Sequence, residues 1–232
     1  MAGQLTRRFE ENKIYRFPDV QTKRFITLLG GNRYERSCDI GCGRGYWSYI
    51  LAKYNLVKNE ICGCDLHNDY RMDEIKSVNP DPIIRYADIK DDSLPFSDEM
   101  FDLVFSVDVV EHVKDEKLFF LEHLRIAKAG ATILIVTPNY WRLGNIVLMA
   151  INRLKYPRRM GEGSSREMVH ITEYSSDKLL ELAGSASDMI KIDTLRIIPC
   201  WVGVPLTNIG RDRIPGLLEK FCHSLFMVFK KR

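Results

Sequence analysis

Three groups of residues in this chain have the types and spacing to do chemistry. The first runs C-D-I-G-C-G-R-G-Y-W-S from Cys38 to Ser48, with Asp39 two residues ahead of Gly41 and further glycines at Gly43 and Gly45. Glycines this dense let a turn reach dihedrals closed to other residues and let a ligand lie against the main chain. With a strand-like run at 36–40 before them and a helical run at 46–54 after, they form a strand, glycine turn and helix that suits a nucleotide-binding loop. The second group is D-V-V-E-H at 108–112, which puts Asp108, Glu111 and His112 within five residues. Two carboxylates and an imidazole are chemically sound ligands for a divalent cation. The third is His170, a candidate proton acceptor because imidazole titrates near neutrality, although a lone histidine is as often a satisfied structural residue.

Spacing narrows the first group. A dinucleotide fingerprint G-x-G-x-x-G would need a glycine at position 46, which is Tyr46; the pattern present is D-x-G-x-G-x-G. That pattern resembles motif I of the class I S-adenosylmethionine-dependent methyltransferases. The resemblance implies that Asp39 holds the ammonium of the methionine part, while Gly41, Cys42, Gly43 and Gly45 make room for the ribose and carboxylate. Asp65 stands 20 residues beyond Gly45, at the end of a second strand expected at 60–65. A carboxylate placed there can accept hydrogen bonds from both ribose hydroxyls. Leu66, next to it, is counted with the donor site, as is Ser106. Within the same resemblance, Asp88 would meet the exocyclic amine of adenine, and the backbone of Ile89 a ring nitrogen.

The likeness extends through L-P-F-S-D-E-M-F-D-L-V-F-S and V-D-V-V-E-H-V, covering about 36–137. The ubiquinone-pathway O-methyltransferases, which act on polyprenylated catechols, carry E-x-x-E-H at this point, associated with a divalent metal near the acceptor. Here the motif is D-x-x-E-H, so the implied ligands of Mg²⁺ or Zn²⁺ are Asp108, Glu111 and His112. Capping of the next helix is the alternative role for Glu111 and His112. His170, and after it His112, are the candidates for the base.

The elements that must position these residues follow from periodicity. Helices are expected at 19–29, 46–54, 114–125 and 174–183, and strands at 36–40, 60–65, 82–87, 101–107 and 131–137. Strands alternating with helices argue for an α/β fold with a doubly wound, Rossmann-like parallel sheet. Two late strands, at 189–198 and 224–230, would add an antiparallel edge and complete seven. The chain then reads as one domain, with an N-terminal cap over 1–35, a cofactor-binding core over 36–137, a lid insertion after strand five over 138–170, and the rest of the sheet over 171–232. Tyr15 and Phe17 either cover the cofactor or pack on the core.

Composition sets the outer bounds. The 232 residues are 45% hydrophobic and 28% charged with a net charge of +3, ordinary for a globular protein and far from a dedicated nucleic-acid binder. No nucleic acid is therefore expected as partner, and S-V-D-V at 106–109 lacks the N-P-P-Y type tetrapeptide of base methyltransferases. Tyr46 argues against a nicotinamide-dependent oxidoreductase. Six cysteines read as small buried hydrophobes of a reducing compartment. No apolar run has the length of a membrane span and the N-terminus lacks a signal-like apolar core, so a cytoplasmic protein is expected. The insertion adds a qualification. Leu143, Ile146, Val147, Ala150, Ile151 and Leu154 recur at helical spacing, and six basic residues stand against one acidic residue between Arg142 and Arg166. That combination suits peripheral membrane contact through 142–166 or an anionic, lipid-linked acceptor; an ordinary lid is the alternative. The expected activity is methyl transfer from S-adenosylmethionine to a small or lipid-linked acceptor at a hydroxyl oxygen. A sugar or cell-envelope acceptor, and a non-catalytic S-adenosylmethionine-binding protein, are the alternatives.

Overall fold

The computed structural model describes residues 19–91, 93–159, 169–187, 192–200 and 220–232. The chain order is α1 (Asp19–Leu28), β1 (Tyr34–Ile40), α2 (Tyr46–Lys53), β2 (Val57–Asp65), α3 (Met72–Val78), β3 (Ile83–Asp88) and β4 (Phe101–Val107). A 3₁₀ turn at Val110–His112 leads to α4 (Glu116–Ile126), β5 (Ala127–Pro138), α5 (Leu143–Ala150), β6 (Arg158–Arg159), β7 (Val169–His170), α6 (Ser176–Ser187), β8 (Ile192–Cys200) and β9 (Ser224–Lys231). The proposed cover by Tyr15 and Phe17 lies outside the described residues, as does most of the arginine-rich half of the insertion.

Seven strands form one sheet in the order β3-β2-β1-β4-β5-β9-β8. β1 pairs in parallel with both β2 and β4, and β9 lies antiparallel between β5 and β8. Because β2 and β3 build outward on one side of β1 while β4 and β5 build on the other, the winding reverses between β1 and β4. In such sheets the crevice beyond the carboxyl ends at the reversal is where a ligand binds. Register brings the strand ends level there: Ile40 pairs with Cys64 on one side and with Ser106 on the other.

Both faces of the central strands are buried, so side chains alternate between two apolar layers rather than between core and water. Cys38, Cys62, Cys64, Val104 and Ile135 pack toward α4 and α6, whereas Leu103, Phe105 and Val136 pack toward α1 and α2. All six cysteines are buried and free. On the second face, the Phe25 ring of α1 lies tilted 4.5 Å from Trp47 and edge-on 5.3 Å from Phe105. This aromatic cluster holds α2, and with it the glycine turn, against the sheet; a buried ring of this kind stabilises by about 2–3 kcal/mol. Several elements differ from the sequence reading. β2 starts at Val57 and β5 at Ala127, earlier than their apolar runs suggest, and the two-residue strands β6 and β7 have no counterpart in it.

Candidate active site

The β1 carboxyl end delivers Asp39, and the chain then turns through Gly41, Gly43 and Gly45, all at positive φ (70°, 49° and 86°). Gly41 has a second constraint: a Cβ there would stand 2.4 Å from Val109 Cγ2, so the turn touches the loop after β4. At Gly43 nothing lies within 4 Å of the place a Cβ would take. The backbone is open to a ligand at that point. Gly41 N and Cys42 N both donate to Cys64 O, at 2.8 and 3.1 Å, which ties the turn to β2. The Asp65 carboxylate accepts from Gly43 N at 2.8 Å and from His67 N at 3.3 Å, and so already faces the open glycine.

Asp39 is buried, accepts from Ser48 Oγ at 2.8 Å, and is pushed up to about 7 by that burial. Leu66, beside Asp65, is 68% exposed. Asp88 ends β3 opposite Asp65 in register, and Tyr86 OH donates to Asp65 O at 3.1 Å. A cavity of about 350 Å³ lined by Ala87, Asp88, Lys90, Asp91, Ser93 and Pro95 adjoins it.

Two donor-side residues fall short of the sequence expectation. Ile89 N donates to Asp65 O at 2.9 Å, so its N–H is already engaged within the sheet end. Ser106 is fully buried with its Oγ 3.0 Å from His123 Nε2, placing its side chain under α4 and away from the crevice.

The loops after β4 and β5 hold the second group of residues that the sequence singles out. Asp108 takes a left-handed φ of 55°, a conformation that is uncommon outside glycine and marks a constrained position. Among the described residues its Oδ1 has no partner, and burial pushes its carboxyl up to about 7 against the opposing charge of Arg142. Glu111 is fully buried; Oε2 accepts from Thr137 Oγ1 at 3.0 Å and Oε1 has no partner among the described residues. Burial, and then the Asp108 charge, push Glu111 well above the usual carboxylate range.

The two histidines meet here with rings 4.9 Å apart and nearly perpendicular. His112 Nδ1 lies 2.8 Å from Val169 O; a carbonyl only accepts, so Nδ1 carries the proton and Nε2 keeps its lone pair. Burial holds His112 below the ordinary imidazole range. His170 Nδ1 lies 2.7 Å from Glu173 Oε1, which leaves its Nε2 free to take a proton. The residues that fix this geometry were not singled out in the sequence. Glu173, buried, also accepts from Arg142 at 2.7 Å and from Asn145 at 2.6 Å. Burial alone would raise Glu173, but the bonds from His170 and Arg142 outweigh it and hold the carboxyl below its usual range. The ribbon β6–β7, with Arg158 opposite His170, closes the insertion and delivers the histidine.

Among the described residues, Glu111, His112 and His170 bring ligand-capable atoms within 4.8 Å of one another. Asp108 is not part of that group. The metal-capable set is thus two histidines and one carboxylate, rather than the two carboxylates and one histidine read from the D-x-x-E-H motif.

Residues 38–135 match the family described as "Methyltransferase domain". Over that segment the chain is similar to S-adenosylmethionine-dependent methyltransferases. Among its relatives in sequence is a protein of Mycolicibacterium smegmatis named "Probable S-adenosylmethionine-dependent methyltransferase", 28% identical over 56% of this chain and 47% of its own length. Another is the 2-methyl-6-phytyl-1,4-hydroquinone methyltransferase of Synechocystis, 31% identical over 44% of this chain and 31% of its own. The chain therefore spans less than half the length of either. In fold it is similar to phosphoethanolamine N-methyltransferase 2 of Haemonchus contortus in complex with S-adenosyl-L-methionine, with a TM-score of 0.59 at 15% identity over 91% of this chain and 52% of that one.

Proposed function

We propose that this chain transfers the methyl group of S-adenosylmethionine to a hydroxyl oxygen of a small or lipid-linked acceptor. The observation that carries this reading is the His170–Glu173 pair, fixed at the carboxyl ends of the strands and joined to the glycine turn through the Val109–Gly41 approach. In the reaction the acceptor oxygen attacks the methyl carbon, the carbon–sulfur bond breaks with its electron pair staying on sulfur, and the hydroxyl proton goes to His170 Nε2. S-adenosylhomocysteine leaves. The donor is already activated, so the protein has to align two reactants and manage one proton. Asp65 accepts from the ribose hydroxyls, Leu66 and Asp88 flank the adenine, and the space beside Gly43 admits the backbone-facing part of the donor. A hydroquinone is one acceptor class to include in the test, given the name of the Synechocystis relative. Removal of the His170 imidazole should lower turnover with labelled donor across a panel of catechols, hydroquinones and sugars while leaving S-adenosylhomocysteine affinity intact. Equal turnover by His170→Ala would sink the assignment of the base.

A second reading keeps the donor and gives Glu111, His112 and His170 a divalent cation. The unpartnered Glu111 Oε1 and the two unprotonated Nε2 atoms favour it, and each histidine has a partner on its Nδ1, as metal-ligating histidines do. A cation there would lower the pKa of a bound acceptor hydroxyl. Cobalt absorbance and equilibrium dialysis with Zn²⁺ and Mg²⁺ decide between the two, since absence of saturable binding leaves the base alone.

A further inference from the structure

Helix α5 is built inside out. Its sequence L-G-N-I-V-L-M-A is apolar but for Gly144 and Asn145, and Asn145 is its one fully buried residue, bonded through Nδ2 to Tyr140 O and Glu173. Ile146, Leu148 and Met149 are half-buried, and the remaining large apolar side chains face the other way. Leu143, Val147 and Ile151 are 49%, 60% and 55% exposed, and their four-residue spacing stacks them on one face over about 12 Å. Scattered apolar residues on a surface need no explanation, but an aligned row on a helix that buries its polar residue does.

The surroundings of that row point to one kind of partner. The residues from 142 to 161 contain five basic and no acidic residues. Arg153 and Lys155 are exposed just past the helix, and among the described residues neither pairs with a carboxylate. At the other end Trp141 is half-buried with Lys220 Nζ 5.0 Å from its ring. An apolar row flanked by cations and a tryptophan is the composition of helices that lie in the headgroup boundary of a bilayer.

We infer that α5 and the basic stretch that follows it dock this chain onto an anionic lipid surface, with Leu143, Val147 and Ile151 entering the acyl boundary and Arg153 and Lys155 meeting lipid phosphates. Docking there places α5, whose Asn145 touches Glu173, at the membrane, so an acceptor drawn from lipid would reach His170 without crossing water. The inference rests on the surface of α5 and does not require the acceptor to be a lipid.

The test is flotation of the purified full-length chain, without donor or acceptor, on vesicles of phosphatidylglycerol and phosphatidylcholine (about 1:1) and on pure phosphatidylcholine. At low salt the partition coefficient should be at least about tenfold higher on the anionic vesicles and should fall as salt screens the cations. The triple variant L143S/V147S/I151S should lose roughly tenfold or more of that partition while keeping its affinity for S-adenosylhomocysteine, which reports an intact fold. Failure to float on anionic vesicles overturns the inference. So does equal flotation of the variant, which would mean charge alone. Concentration-dependent self-association that the variant abolishes, with no flotation, would assign the row to a second copy of the chain. None of these outcomes bears on methyl transfer, which is measured separately.

Discussion

In the proposed reaction His170 and Asp65 stand at the two ends, and each has a distinguishable failure. Losing the imidazole of His170 removes a proton acceptor but no donor contact. His170→Ala should therefore lower kcat by about 10²–10⁴-fold with S-adenosylhomocysteine affinity within about twofold, checked by single-turnover kinetics and calorimetry. Losing the Asp65 carboxylate should act the other way. Charge-assisted hydrogen bonds contribute about 1.5–3 kcal/mol, so Asp65→Ala should weaken S-adenosylhomocysteine by roughly 10–100-fold, and unchanged affinity would remove Asp65 from the ribose. Asp39, Gly41, Gly43, Gly45 and Asp65 could be picked out from the sequence because the glycines that need them are a few residues away or one strand on. Glu173, Arg142, Asn145 and Thr137 could not. Arg142 and Glu173 are 31 residues apart and meet only once the insertion has folded back through β6–β7. Ser106 misled for a different reason: in a strand buried on both faces, polarity does not tell which layer a side chain enters.

Among the elements, the glycine turn makes the sharpest prediction, because two of its glycines are constrained differently. A Cβ on Gly41 meets Val109 at 2.4 Å and the residue sits at φ 70°, so Gly41→Ala should destabilise the fold by a few kcal/mol as well as abolish donor binding. A Cβ on Gly43 meets nothing, so Gly43→Ala should lower stability by only about 1 kcal/mol, the ordinary penalty of a left-handed alanine, while still weakening S-adenosylhomocysteine strongly. Thermal melts set beside calorimetry separate the two; unchanged S-adenosylhomocysteine affinity in Gly43→Ala would mean that the space beside Gly43 has no ligand-binding role. Strand ends were the least legible elements. β2 starts at Val57 because Lys58 and Asn59 both bond Glu35 of β1, a cross-strand cluster that sequence alone presents as a polar loop. Helix α5 is legible as a helix from its periodicity, but periodicity leaves its apolar side open between a membrane surface and an ordinary lid, and only the burial of Asn145 shows which face turns inward.

At the scale of the molecule, the order of strands and helices was readable because alternating βα units leave few topologies once right-handed crossovers are required. Its response to pH was not, since that depends on which groups the fold strips of water. Two buried groups pull in opposite directions. His123, fully buried and held near about 4 mainly by desolvation, favours the unfolded chain increasingly as pH falls below about 6.5. Asp39, raised by burial from 3.8 to about 7, has the opposite sign: the folded protein binds its proton more tightly than the unfolded chain does. Its contribution is most favourable below about pH 4 and is lost as pH rises to about 7, a swing on the order of 4 kcal/mol. In the wild type the two slopes overlap between about pH 4 and 6.5 and largely hide each other, while Asp108 and Glu111 add terms of the same sign as Asp39. Asp39→Asn removes one titration and leaves the others. The difference in melting temperature between this variant and the wild type, measured without ligand, should therefore move in favour of the variant from pH 4 to pH 7 and then stay level. At about 2–4 °C per kcal/mol for a chain of this size, the total change should reach roughly 10 °C. A constant offset across that range would mean that Asp39 is already ionised in the folded protein at pH 5, with a cation or water reaching it beside Ser48.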